Sequence, residues 1–158
     1  MHNILYSNNS SYYSMIARLA LAEKAVAYEL HHIDIHIKME QFAPEFVSIQ
    51  PNMTVPVLVC DGVNLADSHQ ILLFANKHFS GIDLCPAEDE AAILKSLDLH
   101  YAFSIEDLTM GKALRKSPIA GFALARGLKR ASRRCQELMR THPEFKSACE
   151  NKLQLEDE

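Results

Sequence analysis

Gln50-Pro51-Asn52-Met53-Thr54-Val55-Pro56-Val57-Leu58-Val59-Cys60-Asp61-Gly62-Val63-Asn64-Leu65 is the stretch on which the fold turns. Residues 55–60 form a continuous apolar run, and Val63-Asn64-Leu65 is a second strand-like piece. An Asp-Gly pair between two such runs signals a tight hairpin, so these strands should be antiparallel. Upstream, residues 28–37 are rich in β-branched and aromatic side chains, with Ile33, Ile35 and Ile37 alternating with Asp34, His36 and Lys38. That alternation predicts a strand over 28–37. Residues 4–6 are a short apolar start, followed by the polar run Ser7-Asn8-Asn9-Ser10-Ser11. From residue 12 to 24, Tyr12, Met15, Ile16, Leu19 and Ala20 recur at helical spacing, which predicts a helix with that stripe inward. A strand, a helix and a strand in that order make a βαβ unit with parallel strands. Residues 39–49 are less regular, a short helix and loop. From Asp67 a further helix carries Ile71, Leu72, Ala75 and Phe79 on one face. The element order is therefore βαβ, an irregular segment, then ββα.

Past residue 80 only helical patterns remain. Residues 81–87 read as a linker, and residues 88–158 as an all-α region that looks incomplete. One helical pattern covers about 88–116, with Ile93, Leu97, Tyr101 and Leu108 as its stripe; Gly111, Pro118 and Gly121 should break it up. Another covers 122–140 with Leu124, Leu128, Cys135, Leu138 and Met139 inward, and Thr141-His142-Pro143 should end it. A last amphipathic stretch starts at Glu144.

Composition narrows the function classes. The 158 residues carry 16 Lys and Arg against 20 Asp and Glu, a net charge of -4. Nothing in that balance calls for nucleic acid or an anionic membrane. No basic segment followed by an apolar run opens the chain, and no stretch of about 18 apolar residues occurs. Cys60, Cys85, Cys135 and Cys149 are scattered without a C-x-x-C pair, which fits neither a zinc site nor a dithiol motif. The expectation is a cytoplasmic protein with idle thiols and no metal. Of His31, His32 and His36, only His32 and His36 would share a strand face, so solvated histidines are expected rather than a ligand set. Arg126, Lys129, Arg130, Arg133 and Arg134 form a basic cluster on one helix, while the chain up to Leu84 has eight acidic against four basic residues. Those opposite signs would meet in a two-fold dimer.

Three local features carry chemistry. Ser10-Ser11-Tyr12-Tyr13-Ser14 joins the first strand to the first helix, Val55-Pro56 opens the third strand, and Asp67-Ser68 starts the third helix directly after the hairpin. The order βαβ-ββα is that of thioredoxin-like folds. With these motifs in place, residues 4–79 resemble the N-terminal domain of glutathione transferases. The resemblance implies that Ser11 faces the glutathione sulfur. It also implies that Val55 and a cis-Pro56 offer backbone hydrogen bonds to the tripeptide, and that Asp67 and Ser68 hold its γ-glutamyl end. Thr54 stands where the family commonly has Gln or Lys reaching a glutathione carboxylate, and Met53 where it often has Gly.

Each motif also has a purely structural reading. Ser11 is a good helix N-cap, and Asp67 followed by Gln70 forms a capping box. Tyr6, Ser7 and Tyr13 rival Ser11 for the sulfur contact, because the polar loop shifts the alignment by a residue or more. The implied activity is conjugation of glutathione, as co-substrate, to a small electrophile, or glutathione-dependent peroxide reduction. The alternative is a non-catalytic binding or regulatory module of the same build. The resemblance also implies a homodimer.

Overall fold

The computed structural model describes residues 2–103, 105 and 117–157. Strand β1 (Asn3–Ser7) leads into helix α1 (Tyr12–Glu23), then β2 (Glu29–His32), a 3-10 turn (Glu40–Phe42) and α2 (Pro44–Ile49). Strands β3 (Val57–Cys60) and β4 (Val63–Ala66) follow, then α3 (Ser68–His78), α4 (Glu90–Ala102), α5 (Pro118–Thr141) and α6 (Lys146–Asp157). The sheet order is β2-β1-β3-β4, with β1 and β2 parallel and both other pairings antiparallel. This is the mixed thioredoxin-like sheet expected from βαβ-ββα, followed by a helical region. Residues 2–82 and 131–157 belong to one compact unit, and residues 83–130 form another, with α4 and the first half of α5.

The sheet buries both faces. Leu5 and Leu58 pack with Ala17 and Leu21 of α1 and with Ile71 and Ala75 of α3. On the other side, Val57, Ile33 and Phe46 make a smaller core under α2, with Tyr6 against it. A third cluster joins Met39, Phe42, Val47 and Met53 to Ala131, Cys135 and Leu138 of α5 and Cys149 of α6. Lys24 is buried at the end of α1, and its ammonium donates to the carbonyl of Ile82 at 2.8 Å and of Asn76 at 3.4 Å. Those acceptors spare the charge an unpaired burial.

Several expectations are corrected. The inward face of α1 is Ser14, Ala17, Ala20 and Leu21, whereas Met15 and Leu19 are 51% and 61% exposed. The helix is apolar around most of its circumference, so period alone misjudged the face; small Ala17 permits close packing on α3. Strand β2 ends at His32 rather than 37, because Asp34 Oδ1 accepts from the amides of His36 and Ile37 and curls the chain into a turn. His32 and His36 therefore share no strand face. Strand β3 begins at Val57, past the Pro56 that has no amide to pair. Pro118 marks a boundary as the first residue of α5, a position that needs no amide partner, whereas Gly121 lies within that helix and does not interrupt it. On α5, Cys135 and Leu138 are buried while Leu128 is 40% exposed. Leu108, Gly111 and the end of the pattern expected over 88–116 lie outside the described residues.

Candidate functional site

Pairing register brings three distant segments to one end of the sheet. Tyr6 pairs with Val57, and Val57 with Ala66, so the C-terminal ends of β1 and β4 flank the N-terminal end of β3. Residues 8–11, Val55-Pro56 and Asp67-Ser68 leave the sheet at that end. The Val55–Pro56 peptide is cis. The amide of Asp67 donates to the carbonyl of Pro56 at 3.4 Å, which ties the start of α3 to the residue after the cis bond. Helices α1 and α3 both begin here, and their dipoles give the sheet end a positive potential suited to anions.

Asn8 organises the first loop. Its Nδ2 donates to the carbonyl of Ile33 at 2.8 Å, and its Oδ1 accepts from the amide (2.8 Å) and hydroxyl (2.6 Å) of Ser10. Its own amide donates to Ser14 Oγ at 3.3 Å. Ser11 is the N-cap of α1, and its Oγ accepts from the amide of Ser14 at 3.2 Å. A hydroxyl has one proton and two lone pairs, so capping leaves that proton free to be donated to a ligand. The rival positions separate. Tyr6 lies on the α2 side of the sheet, its ring 5.0 Å from His31 and 5.8 Å from Phe46. Ser7 is buried, and its Oγ has no partner among the described residues. Tyr13 is a half-buried residue of α1, its ring 5.6 Å from that of Tyr12.

His36, expected to be merely solvated, reaches this loop: its Nε2 is 2.6 Å from Ser10 Oγ. The single proton of Ser10 already points at Asn8 Oδ1, which cannot donate. His36 must therefore be the donor, which fixes the proton on Nε2. Asp34 braces the turn carrying His36, and the amides of Ile37 and His36 hold its carboxyl below the ordinary range.

The segment before the cis peptide is held by Gln50. Its amide donates to Phe46 O at 2.8 Å, its carbonyl accepts from Met53 N at 2.9 Å, and its Nε2 donates to Thr54 Oγ1 at 3.2 Å. Met53 has φ 55° with its side chain buried, the left-handed conformation that explains why glycine suits this position. Val55 is half-buried, Pro56 buried and Thr54 exposed. Asp67 is the exposed N-cap of α3; its Oδ1 accepts from His69 N at 2.8 Å, and its φ is 82°. Ser68 behind it is buried. A non-glycine residue held at such a φ stores strain that the surroundings must offset. Sequence reading missed Asn8, His36 and Gln50. Asn8 alone left a signal, since Asn before a helix favours a side-chain-to-backbone turn.

No Lys or Arg belongs to the three segments. Burial pushes the Cys60 and Cys149 thiols up, and desolvation together with Glu90 and Asp83 raises Cys85, so none of these three is a ready nucleophile. No group of three His, Cys, Asp or Glu suited to a metal is gathered among the described residues, and no helix among them is long and apolar enough to cross a membrane.

Residues 10–78 match the family described as "Glutathione S-transferase, N-terminal domain". A tetrachloro-p-hydroquinone reductive dehalogenase of Sphingobium chlorophenolicum is 36% identical over 90 residues, which are 56% of this chain and 36% of the relative. A zeta-class glutathione S-transferase of Euphorbia esula is 36% identical over 84 residues, 53% of this chain and 37% of the relative. The matched stretch thus spans little more than a third of either relative. Among solved structures, glutathione transferase E6 from Drosophila melanogaster superposes with a TM-score of 0.62 at 23% identity, covering 82% of this chain and 64% of that one. Residues 10–78 are thus similar to the N-terminal domain of glutathione S-transferases, and the chain has a thioredoxin-like N-terminal part with helices after it, the fold of solved glutathione transferases.

Proposed function

We propose that the chain binds glutathione at the sheet end shared by residues 8–11, 55–56 and 67–68, and activates its thiol for attack on a small electrophile. The observation that supports this most is the Asp67 amide bonded to the Pro56 carbonyl, which makes one surface of two motifs far apart in sequence. The Val55 backbone suits β-like pairing with the tripeptide. At the start of α3, Asp67 suits the γ-glutamyl ammonium, and the helix amides with Ser68 suit its carboxylate. One end of the ligand carries both charges, which matches that pair.

The free thiol of pKa about 8.5 is mostly protonated at neutral pH, and the thiolate is the nucleophile. Lowering that pKa by about two units takes roughly 2.7 kcal/mol of preferential stabilisation. A hydrogen bond from Ser11 Oγ–H contributes about 1.5–3 kcal/mol when its acceptor is charged, and the α1 amides add to it. The thiol proton leaves to solvent, a C–S bond forms at the electrophilic carbon, and a halide or similar group departs with its electron pair. The dehalogenase relative makes chlorinated aromatics a natural class to assay, and peroxide reduction is a second. Glutathione is the co-substrate in this reading, with no metal. A cytoplasmic homodimer, pairing the acidic α/β part with the basic stretch of α5, completes it.

Thr54 favours a second reading, a non-catalytic glutathione-binding module. Its hydroxyl is engaged by Gln50, and it is shorter than the Gln or Lys of the family, so that arm of the grip is weak. Calorimetric binding of reduced glutathione, followed by conjugation to an activated aryl chloride, decides between them. Binding with turnover supports the transferase; binding without turnover supports the module; no binding defeats both.

A further inference from the structure

The α2 side of the sheet holds a cavity of about 530 Å³, lined by Tyr6, His32, Ile33, Glu45, Phe46 and Ile49 among others. Ser11, Val55, Asp67 and Ser68 do not line it. We infer that this cavity is a second small-molecule site, taking an arylalkyl ammonium ion. This goes beyond the glutathione reading and stands without it.

Size and lining fit a small ligand. Drug-sized sites occupy about 300–1,000 Å³ and combine an apolar floor with a few polar groups. Ile33, Phe46 and Ile49 form the floor with the Tyr6 ring, which meets Phe46 edge to face at 5.8 Å. A flat aromatic body suits such a floor.

The polar groups decide the charge. Two have no hydrogen-bond or ion-pair partner among the described residues: the Tyr6 hydroxyl and the Glu45 carboxylate. The other acid on the lining is spoken for, since Glu40 Oε2 accepts from Asp34 N at 2.7 Å and Oε1 lies 3.4 Å from Lys38 Nζ. His31 is held by Glu29 at 2.6 Å. No Lys or Arg lines the cavity, so an anion has no countercharge there, whereas Glu45 is uncompensated. The complementary ligand is a monocation, with its ammonium at Glu45 and its ring on Tyr6 and Phe46, where a cation near aromatic faces gains further.

The chain contains no tryptophan, so indole emission comes from the ligand alone and its anisotropy distinguishes bound from free. Fluorescence anisotropy of tryptamine, titrated with protein, should saturate. Indole-3-propionate, its anionic counterpart, should bind more weakly, by up to roughly fivefold, the upper range for a solvent-accessible ion pair. Glu45→Gln should weaken tryptamine by a similar factor, and Glu45→Lys should abolish the preference for the cation. Saturating glutathione should leave tryptamine affinity unchanged. Absence of tryptamine binding, equal affinity for both indoles, unchanged affinity in both variants, or displacement by glutathione would each overturn the assignment. Circular dichroism of both variants separates a lost contact from a lost fold.

Discussion

The amide of Asp67 donates to the carbonyl of Pro56 at 3.4 Å, although hairpin and strand separate them in sequence. Because Ala66 pairs with Val57 just beside them, the start of α3 is fixed against the loop that precedes β3. Asp67 reaches this position with φ 82°, and its carboxylate is already used once, on His69 N. Capping and ligand binding are thus separable by mutation at this residue.

Asp67→Asn retains a capping oxygen, since Asn and Asp cap almost equally, but removes the charge. Stability should change by less than about 0.5 kcal/mol, while glutathione affinity falls roughly 5–30-fold, as for loss of a charge-assisted contact of about 1–2 kcal/mol. Calorimetry and thermal melting of one sample check both. A variant that loses stability and keeps its affinity would leave Asp67 as a cap only.

Ser11→Ala removes a cap and, in this account, the sulfur contact. Stability should drop by about 1 kcal/mol. Turnover should fall on the order of 10–100-fold, with glutathione affinity within about threefold, because a charged acceptor values that bond at about 1.5–3 kcal/mol. Steady-state kinetics against a glutathione titration measures both. An unchanged rate would pass the role to another group, with Tyr13 closer to Ser11 in sequence than Tyr6, which packs on the α2 side.

His36→Leu cuts the link between the loop after β1 and the turn after β2. The acid limb of the rate profile should move to higher pH as Ser11 loses its fixed position, and His36→Gln, which keeps a donor, should restore most of it. Nitrogen-15 shifts should show the proton on Nε2; a proton on Nδ1 in the neutral ring would contradict the hydrogen-bond assignment.

Asp34 has its carboxyl lowered by the amides of Ile37 and His36. A depressed pKa contributes stability above the unfolded value and loses it as pH falls through the folded one. Between about pH 5 and 2, wild type should therefore lose more stability than Asp34→Asn. Parallel acid-unfolding curves would count against this contact.

The hairpin, the order of elements and the caps at Ser11 and Asp67 were legible because each rests on a local signal, such as Asp61-Gly62 for the hairpin. What failed depended on distant partners. Nothing within 28–37 reveals that Asp34 would gather amides and end β2 at His32. The stripe of α1 misled because Met15 and Leu19 are as apolar as the residues α3 selects. Met39 and Met53 look unremarkable in sequence, yet both have positive φ and both bury against α5 and α6. Met53→Gly tests that balance: it relieves about 1 kcal/mol of left-handed strain but removes a buried side chain that contributes about 2–5 kcal/mol, so thermal unfolding should show a net loss.

The central claim is that one end of the sheet holds glutathione. An amide-resolved NMR titration with reduced glutathione tests it most directly. The account predicts saturable shifts concentrated at the amides of residues 11–14, Val55 and residues 67–69. No saturable shift, or shifts confined to other segments, would contradict it.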